Sequence, residues 1–436
     1  LILEVNVSPC EKKSSTNCNL PAKLFFITLS TNIRIKRTSV LNGTASLLPA
    51  SKSIANRALI INALAGGTAS LHNLSDANDT QLMLRLVNST DPTIDVEDAG
   101  TTMRFLTAYF TVTSQQKTMT GTERMMERPI GILVDALRLL GADITYLGKE
   151  GYPPHRINGF SGQKTNVLRV RGDISSQYIS ALMMVAPALP QGLTLELEGK
   201  IGSRPYIEMT ASIMKHFGAS STFQGSTITV APQKYTPAPF TVESDWSATS
   251  YWLSFAALAR QADIRLPRLF TQSVQGDSAI VAIMQQLGVK ATFQQDLLVL
   301  SKTETQKEIS WDFTHCPDLA QTVAVVCAAK GVTGKFTGLE SLRIKETDRI
   351  AALQNELAKI GAQLIEHDPA NWTLIPSNAL PDSASFNTYK DHRMAMAFAP
   401  LATLMEVEIE EQEVVRKSYP NFWNDIRSFG FTIETL

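Results

Sequence analysis

The stretch ILVDALRLLGADITYL (132–147) decides the fold. Apolar residues at helical spacing stop at Gly141, and an alternating, β-prone run follows at once. A glycine just past the last helical turn suits the position where positive φ ends a helix without steric cost. The arrangement recurs in YIEMTASIMKHFGASSTF (206–223), AIVAIMQQLGVKATF (279–293), IAALQNELAKIGAQLIE (350–366) and FWNDIRSFGFTIETL (422–436). Gly218, Gly288, Gly361 and Gly430 mark those junctions, and NDTQLMLRLVNSTDPTIDVED (78–98) is a degenerate member without the glycine. The glycines lie roughly 70 residues apart, too far for the common solenoids, whose units run about 20–50 residues.

A second pattern alternates with the first. A helix-like run of small apolar residues, a turn and an alternating strand read KSIANRALIINALAGGTASLHNL at 52–74. The pattern returns at 100–121, 175–199, 247–269, 318–339 and 391–411. The chain is therefore expected to hold six copies of a unit with two helices and several strands, an internal α/β duplication. The Pro-rich APQKYTPAPF (231–240), midway along the copies, suggests a switch between two domains of three units each.

Composition narrows the function classes. The 436 residues, 44% of them hydrophobic, suffice for two or three domains with sizeable cores. With 40 Lys+Arg against 41 Asp+Glu, the net charge of −1 excludes a binder of long nucleic acids driven by basic excess, and a disordered polyelectrolyte. No apolar run reaches the about 18 residues of a membrane span. Cys10, Cys18, Cys316 and Cys327 form no CxxC pair, and histidines number six. A disulfide framework and a structural zinc site are not expected, and the reducing cytosol is the expected compartment. LFFITL (24–29) is shorter than a signal-peptide core, so no targeting signal is read.

The chemistry gathers where helices begin. A strand is expected to end at Pro49, with Lys52, Ser53 and Arg57 opening a helix. Ser175, Ser176 and Gln177 open another; Asp318 opens a third, and Asp391, His392 and Arg393 a fourth. Helix N-termini offer unpaired N–H groups to anions. N-capping alone accounts for the serines and aspartates, but cations are unfavourable there unless an anion is present. KETDR (345–349) reads equally as a solvated, ion-paired helix, and RMMERP (124–129) as a surface turn with Pro129 at the first helical position.

The segments LPASKSIANRA, DAGTTMR, ERPIG, SSQY, SRPY, RIKETDR, YKDHRMAM and KSYPNFW occur here in order. With these eight motifs the sequence resembles the 5-enolpyruvylshikimate-3-phosphate synthase family from about Ser39 to the C-terminus. The resemblance implies an α/β fold of two similar domains, each an inside-out α/β barrel of three βαβαββ repeats, with the active site in the interdomain cleft. The implied domains are residues 26–48 plus 243–436, and residues 49–242, after an extension (1–25) of unknown placement. It implies transfer of the enolpyruvyl group of phosphoenolpyruvate to the 5-hydroxyl of shikimate 3-phosphate, through a tetrahedral addition–elimination intermediate that loses phosphate. No metal or organic cofactor, no nucleic acid, no membrane and a monomeric, cytoplasmic enzyme are expected from it.

Carried over by motif, the shikimate 3-phosphate contacts are Lys52, Ser53, Arg57, Ser175, Ser176, Gln177, Ser203, Tyr206, Asp318, Ser341 and Lys345. The phosphoenolpyruvate contacts are Lys52, Gly100, Arg128, Gln177, Arg349, Arg393 and Lys417. Asp318 is assigned proton transfer at the 5-hydroxyl, Glu346 proton transfer at C3, and Lys52 help to the departing phosphate; Arg104 and His392 are supporting. Four positions depart from the family pattern: Ala50 stands for Gly, Asp98 for Asn, Phe105 for Pro and Ser341 for Asn. Asp98 adds negative charge near the donor and is left out of the contacts. The herbicide glyphosate acts on this family at the donor position; Gly100 leaves room for it, while Phe105 is expected to shift the following helix. The related UDP-N-acetylglucosamine enolpyruvyl transferases use a cysteine in the first half, and residues 50–242 contain none. A ligand-binding, inactive relative would need neither Asp318 nor Glu346, and an RNA-end-processing relative would carry a basic, aromatic surface.

Overall fold

The computed structural model describes residues 31–172, 175–199, 201–202 and 204–436. Helices run α1 (Lys52–Leu64), α2 (Asn78–Leu86), α3 (Gly100–Val112), α4 (Glu123–Met126), α5 (Gly131–Leu140) and α6 (Ser176–Val185). They continue as α7 (Arg204–His216), α8 (Trp246–Leu258), α9 (Ile280–Gln286), α10 (Ala320–Lys330), α11 (Arg349–Ala358), α12 (His392–Phe398) and α13 (Phe422–Ser428). The helices of the small-residue pattern are α1, α3, α6, α8, α10 and α12, and each leads into a strand. After α5, α7, α9, α11 and α13 the glycines 141, 218, 288, 361 and 430 all take positive φ, between +77° and +117°. At Gly141 a β-carbon would lie 2.2 Å from the Gly162 carbonyl oxygen, so no other residue fits that junction.

Three sheets repeat one plan. In that of Thr93–Asp95, Lys117–Thr120, Ala142–Tyr146 and His155–Phe160, the spatial order is first, second, fourth, third. The sheets of Val167–Arg171, Leu193–Glu198, Thr222–Gln224 and Thr227–Val230, and of Glu308–Asp312, Thr333–Thr337, Gln363–Asp368 and Asn371–Ile375, follow the same order. The first two strands of each are parallel across a buried helix (α3, α6 or α10), and the other pairs are antiparallel.

Two leading strands are exchanged. Chain order would place Val40–Thr44 before α1 and Phe240–Thr241 before α8. Instead Val40–Thr44 pairs parallel with Gln261–Pro267, and Phe240–Thr241 with Leu71–His72. The first described strand, Ile33–Ile35, lies between Glu406–Ile409 and Ile433–Thr435, closing the last sheet.

Buried apolar residues form two clusters, one containing Ile33 to Leu48 and Trp246 to Phe431, the other Ala50 to Val242. The connecting strands are hydrogen-bonded to each other: Ser51 N–H donates to Glu243 O (2.8 Å) and Asp245 N–H to Pro49 O (2.9 Å). Glu243 is buried and accepts from Trp246 Nε1, Phe270 N, Ser273 Oγ and Gln275 Nε2, which fixes this junction. Helices apolar on all sides belong inside a core. Accordingly α8 buries every residue except Ser247, and α6 every residue except Gln177, each at the N-terminal end.

Four local expectations need correction. The strand before α1 ends at Thr44 rather than Pro49, because Ala50 is instead bridged to Ser244. Pro129 precedes the cap Ile130 of α5 and is not its first helical residue. KETDR is not a solvated helix: residues 345–348 lie ahead of α11, Asp348 caps it by accepting from Ile350 N–H and Ala351 N–H (both 3.1 Å), and Arg349 is buried. In the Pro-rich stretch Tyr235 still packs in the cluster that runs to Val242, so the chain changes cores beyond it. The expected extension (1–25), with Cys10 and Cys18, lies outside the described residues, as does Ser203.

Candidate active site

On one side of the junction, Lys52 is the first residue of α1, and its Nζ donates to Asp79 Oδ2 (3.0 Å) on α2. One turn on, Arg57 is 2% exposed. Its Nε donates to Thr210 Oγ1 (2.7 Å), Nη1 to Ser53 O (2.9 Å) and Nη2 to Ser180 Oγ (3.0 Å). The guanidinium lies 5.3 Å from the Phe105 ring centroid and 5.9 Å from that of Tyr206. Phe105 thus packs beneath Arg57 within an unbroken α3. Among the described residues no carboxylate pairs with Arg57, and burial pushes its guanidinium down to about 10. Ser175 caps α6 by accepting from Gln177 N–H (3.4 Å), and Gln177 Nε2 donates to Thr101 Oγ1 (2.9 Å). Ser176 is buried beside them.

The opposite wall is built around Arg349. Its Nε donates to Asp391 Oδ2 (2.7 Å), Nη1 to Asp318 Oδ1 (2.9 Å) and Nη2 to Glu346 Oε2 (2.7 Å). Arg393 Nη2 donates to Asp318 Oδ2 (2.7 Å), and Lys345 Nζ stands 4.0 Å from Asp318 Oδ1. Burial by itself would raise the Asp318 carboxyl, but Arg393, Lys345 and Arg349 overturn that and hold it below the usual carboxylate range. Glu346 is held low in the same way, burial being outweighed by Arg349, Lys417 and Arg128. His392 is buried with neither ring nitrogen hydrogen-bonded; burial, then Arg393 and Lys52, push it well below its ordinary value, so it is neutral. Ser341 is exposed on the turn Glu340–Ile344, ahead of this group.

The two walls touch. Lys417 Nζ donates to Asp98 Oδ2 and stands 3.7 Å from Glu346 Oε1. Arg124 Nε donates to Glu346 O (3.3 Å) and Nη2 to Lys345 O (3.2 Å). Arg128 Nη1 donates to Asp98 O (3.2 Å), while Arg104 donates to Gly100 O (2.9 Å) and Pro129 O (3.2 Å). A β-carbon at Gly100 would lie 2.5 Å from Arg104 Nη1 and 2.6 Å from Arg128 Nη2. Gly100→Ala is therefore expected to displace the Arg128 fork and weaken binding of an anion there about tenfold or more, leaving anion binding at Arg57 little changed. Equal losses at both would show that Gly100 has no such local role.

Asp79, Asp98, Arg124 and Ser247 were not singled out as contacts from the sequence. Ser247 Oγ donates to buried Asp277 and lies 3.4 Å from Arg393 Nη2. Burial, then nearby Asp318, pushes the Asp277 carboxyl up to about 7. The one available signal was an aspartate, Asp79, on the buried side of an amphipathic helix. Cys316 and Cys327 are buried, and burial pushes the Cys316 thiol up to about 12, so neither has the character of a nucleophile. Among the described residues no helix is long and apolar enough to cross a membrane.

Cations and ionised carboxylates contributed from both cores meet here, the kind of setting that chemistry on small polyanions requires. The family model described as EPSP synthase (3-phosphoshikimate 1-carboxyvinyltransferase) matches residues 35–426, and the chain belongs to that family. Members are transferases that move the enolpyruvyl group of phosphoenolpyruvate to shikimate 3-phosphate in the shikimate pathway. A 3-phosphoshikimate 1-carboxyvinyltransferase of Bacteroides fragilis (strain YCH46) is 50% identical over 398 residues, spanning 89% of this chain and 95% of that protein. One from Shewanella halifaxensis is 35% identical over 429 residues, spanning 91% and 99%. An EPSP synthase structure from Acinetobacter baumannii superposes with a TM-score of 0.76 at 19% identity, covering 93% of this chain and 100% of that one.

Proposed function

We propose that this chain carries out the transfer in the cleft between the two cores, with the residues placed as follows. Arg57, Ser53, Ser175, Ser176, Gln177, Tyr206 and Lys345 hold shikimate 3-phosphate, and Lys52, Gly100, Arg128, Arg349, Arg393 and Lys417 hold phosphoenolpyruvate. Asp318 takes the proton of the 5-hydroxyl as its oxygen bonds to C2, and Glu346 gives a proton to C3. The tetrahedral adduct then loses phosphate, helped by Lys52, while Glu346 removes a proton from the C3 methyl to form the enol ether. Binding two polyanions beside each other supplies most of the rate through positioning and electrostatics.

One observation carries this reading. A buried guanidinium without a carboxylate partner costs several kcal/mol unless an anion meets it. Arg57 is such a group among the described residues, and the second wall carries two carboxylates held ionised, Asp318 and Glu346. The same arrangement supports two similar domains, the described residues up to Leu48 with 243–436 forming one and 49–242 the other. Each is read as an inside-out barrel of three βαβαββ repeats, in line with the shared strand order and the exchanged leading strands.

Phosphate release from phosphoenolpyruvate is the direct test. Release is expected only when shikimate 3-phosphate is present. Absence of release with that acceptor, or equal release with a UDP-sugar, would overturn the assignment.

A further inference from the structure

Asp98 stands in the turn between Thr93–Asp95 and α3, and Lys417 ends the turn Gln412–Lys417 on the other wall. They are 319 residues apart in sequence, yet Lys417 Nζ donates directly to Asp98 Oδ2. The backbone carbonyl of Asp98 meanwhile accepts from Arg128 Nη1 (3.2 Å). One residue therefore engages two of the cations assigned to the donor, one through its carboxylate and one through its main chain. The lysine head is nearly buried, its side chain 11% exposed, whereas the Asp98 side chain is 51% exposed. The second carboxylate near that lysine, Glu346, is farther away at 3.7 Å and is already held by Arg349.

We propose that Asp98 is a built-in competitor of the donor: its carboxylate occupies Lys417, and an incoming phosphoenolpyruvate must take the lysine from it. The proposal rests on the assignment of Lys417 to the donor. An anion of the ligand and the carboxylate of Asp98 offer the same chemistry to one ammonium, so they compete for its charge and repel each other. Asp98 thereby sets the strength and the salt dependence of donor binding without taking part in bond making. Among the described residues no hydrogen bond or ion pair links Arg57, in the acceptor pocket, to this pair, and its binding is expected to be unaffected.

Asp98→Asn keeps the shape and removes the competing charge. At low ionic strength it is expected to lower KM for phosphoenolpyruvate and the inhibition constant of inorganic phosphate about two- to fivefold, the worth of a partly exposed ion pair. The gain should shrink at high salt, and KM for shikimate 3-phosphate should stay put. An unchanged or raised KM for phosphoenolpyruvate, or a gain that persists undiminished at high salt, would overturn the proposal. Lys417→Met separates the two layers of the argument. If it raises KM for phosphoenolpyruvate while Asp98→Asn fails to lower it, the competitor role is wrong and the donor assignment stands. If Lys417→Met leaves that KM unchanged, the donor assignment of Lys417 is itself wrong, and the proposal falls with it.

Discussion

Glu346→Gln is expected to bind both substrates and to lose turnover by about 10²–10⁴-fold, the usual worth of a positioned proton carrier. The substitution leaves an oxygen to accept from Arg349 Nη2, which Glu346 Oε2 does now at 2.7 Å. The fold of the wall is thus preserved, and the removed charge weakens no contact to an anionic donor. What disappears is a group able to give and take a proton, the role proposed for Glu346 at C3. Glu346 is held ionised, because burial is outweighed by Arg349, Lys417 and Arg128. A donor bearing a carboxylate and a phosphate draws those same cations to itself, and the carboxyl then holds a proton more readily. Steady-state kinetics with exchange of solvent deuterium into C3 checks both halves. Turnover near the wild-type rate would remove Glu346 from the proton path.

Arg57→Met is expected to raise KM for shikimate 3-phosphate about 30-fold or more, equivalent to losing one charge-assisted hydrogen-bonded contact of about 2–3 kcal/mol. KM for phosphoenolpyruvate should move far less. The preference for the phosphorylated acceptor over unphosphorylated shikimate should fall with it, since Arg57 is proposed to answer the phosphate. Stability supplies the second readout. A structural arginine lowers Tm when removed, but among the described residues Arg57 has no carboxylate partner to strand. The hydroxyls it touches already bond to each other, Thr210 Oγ1 donating to Ser180 Oγ at 2.9 Å. Tm is therefore expected to hold or rise. A fall in Tm with unchanged acceptor KM would show a purely structural residue.

Much of this architecture was legible locally. Gly141, Gly218, Gly288, Gly361 and Gly430 each need positive φ to join a helix to a strand, and glycine signals that need by itself. The run of small apolar residues in α6 and α8 marked helices that belong wholly inside a core. Lys52, Ser175 and Asp391 likewise stand at helix starts, as their local sequence signalled. Local signals were weaker at the edges of elements. Pro129 and KETDR failed there, because capping by Ile130 and Asp348 depends on how the preceding loop approaches the helix.

The recurring helix–strand pattern and the junction glycines could be read before folding, since each is encoded within a few neighbouring residues. Only the tertiary structure decided which half owns which leading strand. Val40–Thr44 and Phe240–Thr241 look interchangeable in isolation, and their exchange follows from pairing across distant parts of the chain. It also decided the partners of the cations: Lys52 with Asp79, Lys417 with Asp98, and Arg124 with the carbonyls of Lys345 and Glu346. Ion pairing depends on distance and burial rather than on sequence spacing, and separations of 222 and 319 residues leave no periodic trace. Near-neutral composition concealed a local gathering of cations for the same reason: folding brings together the charges that the sequence merely distributes.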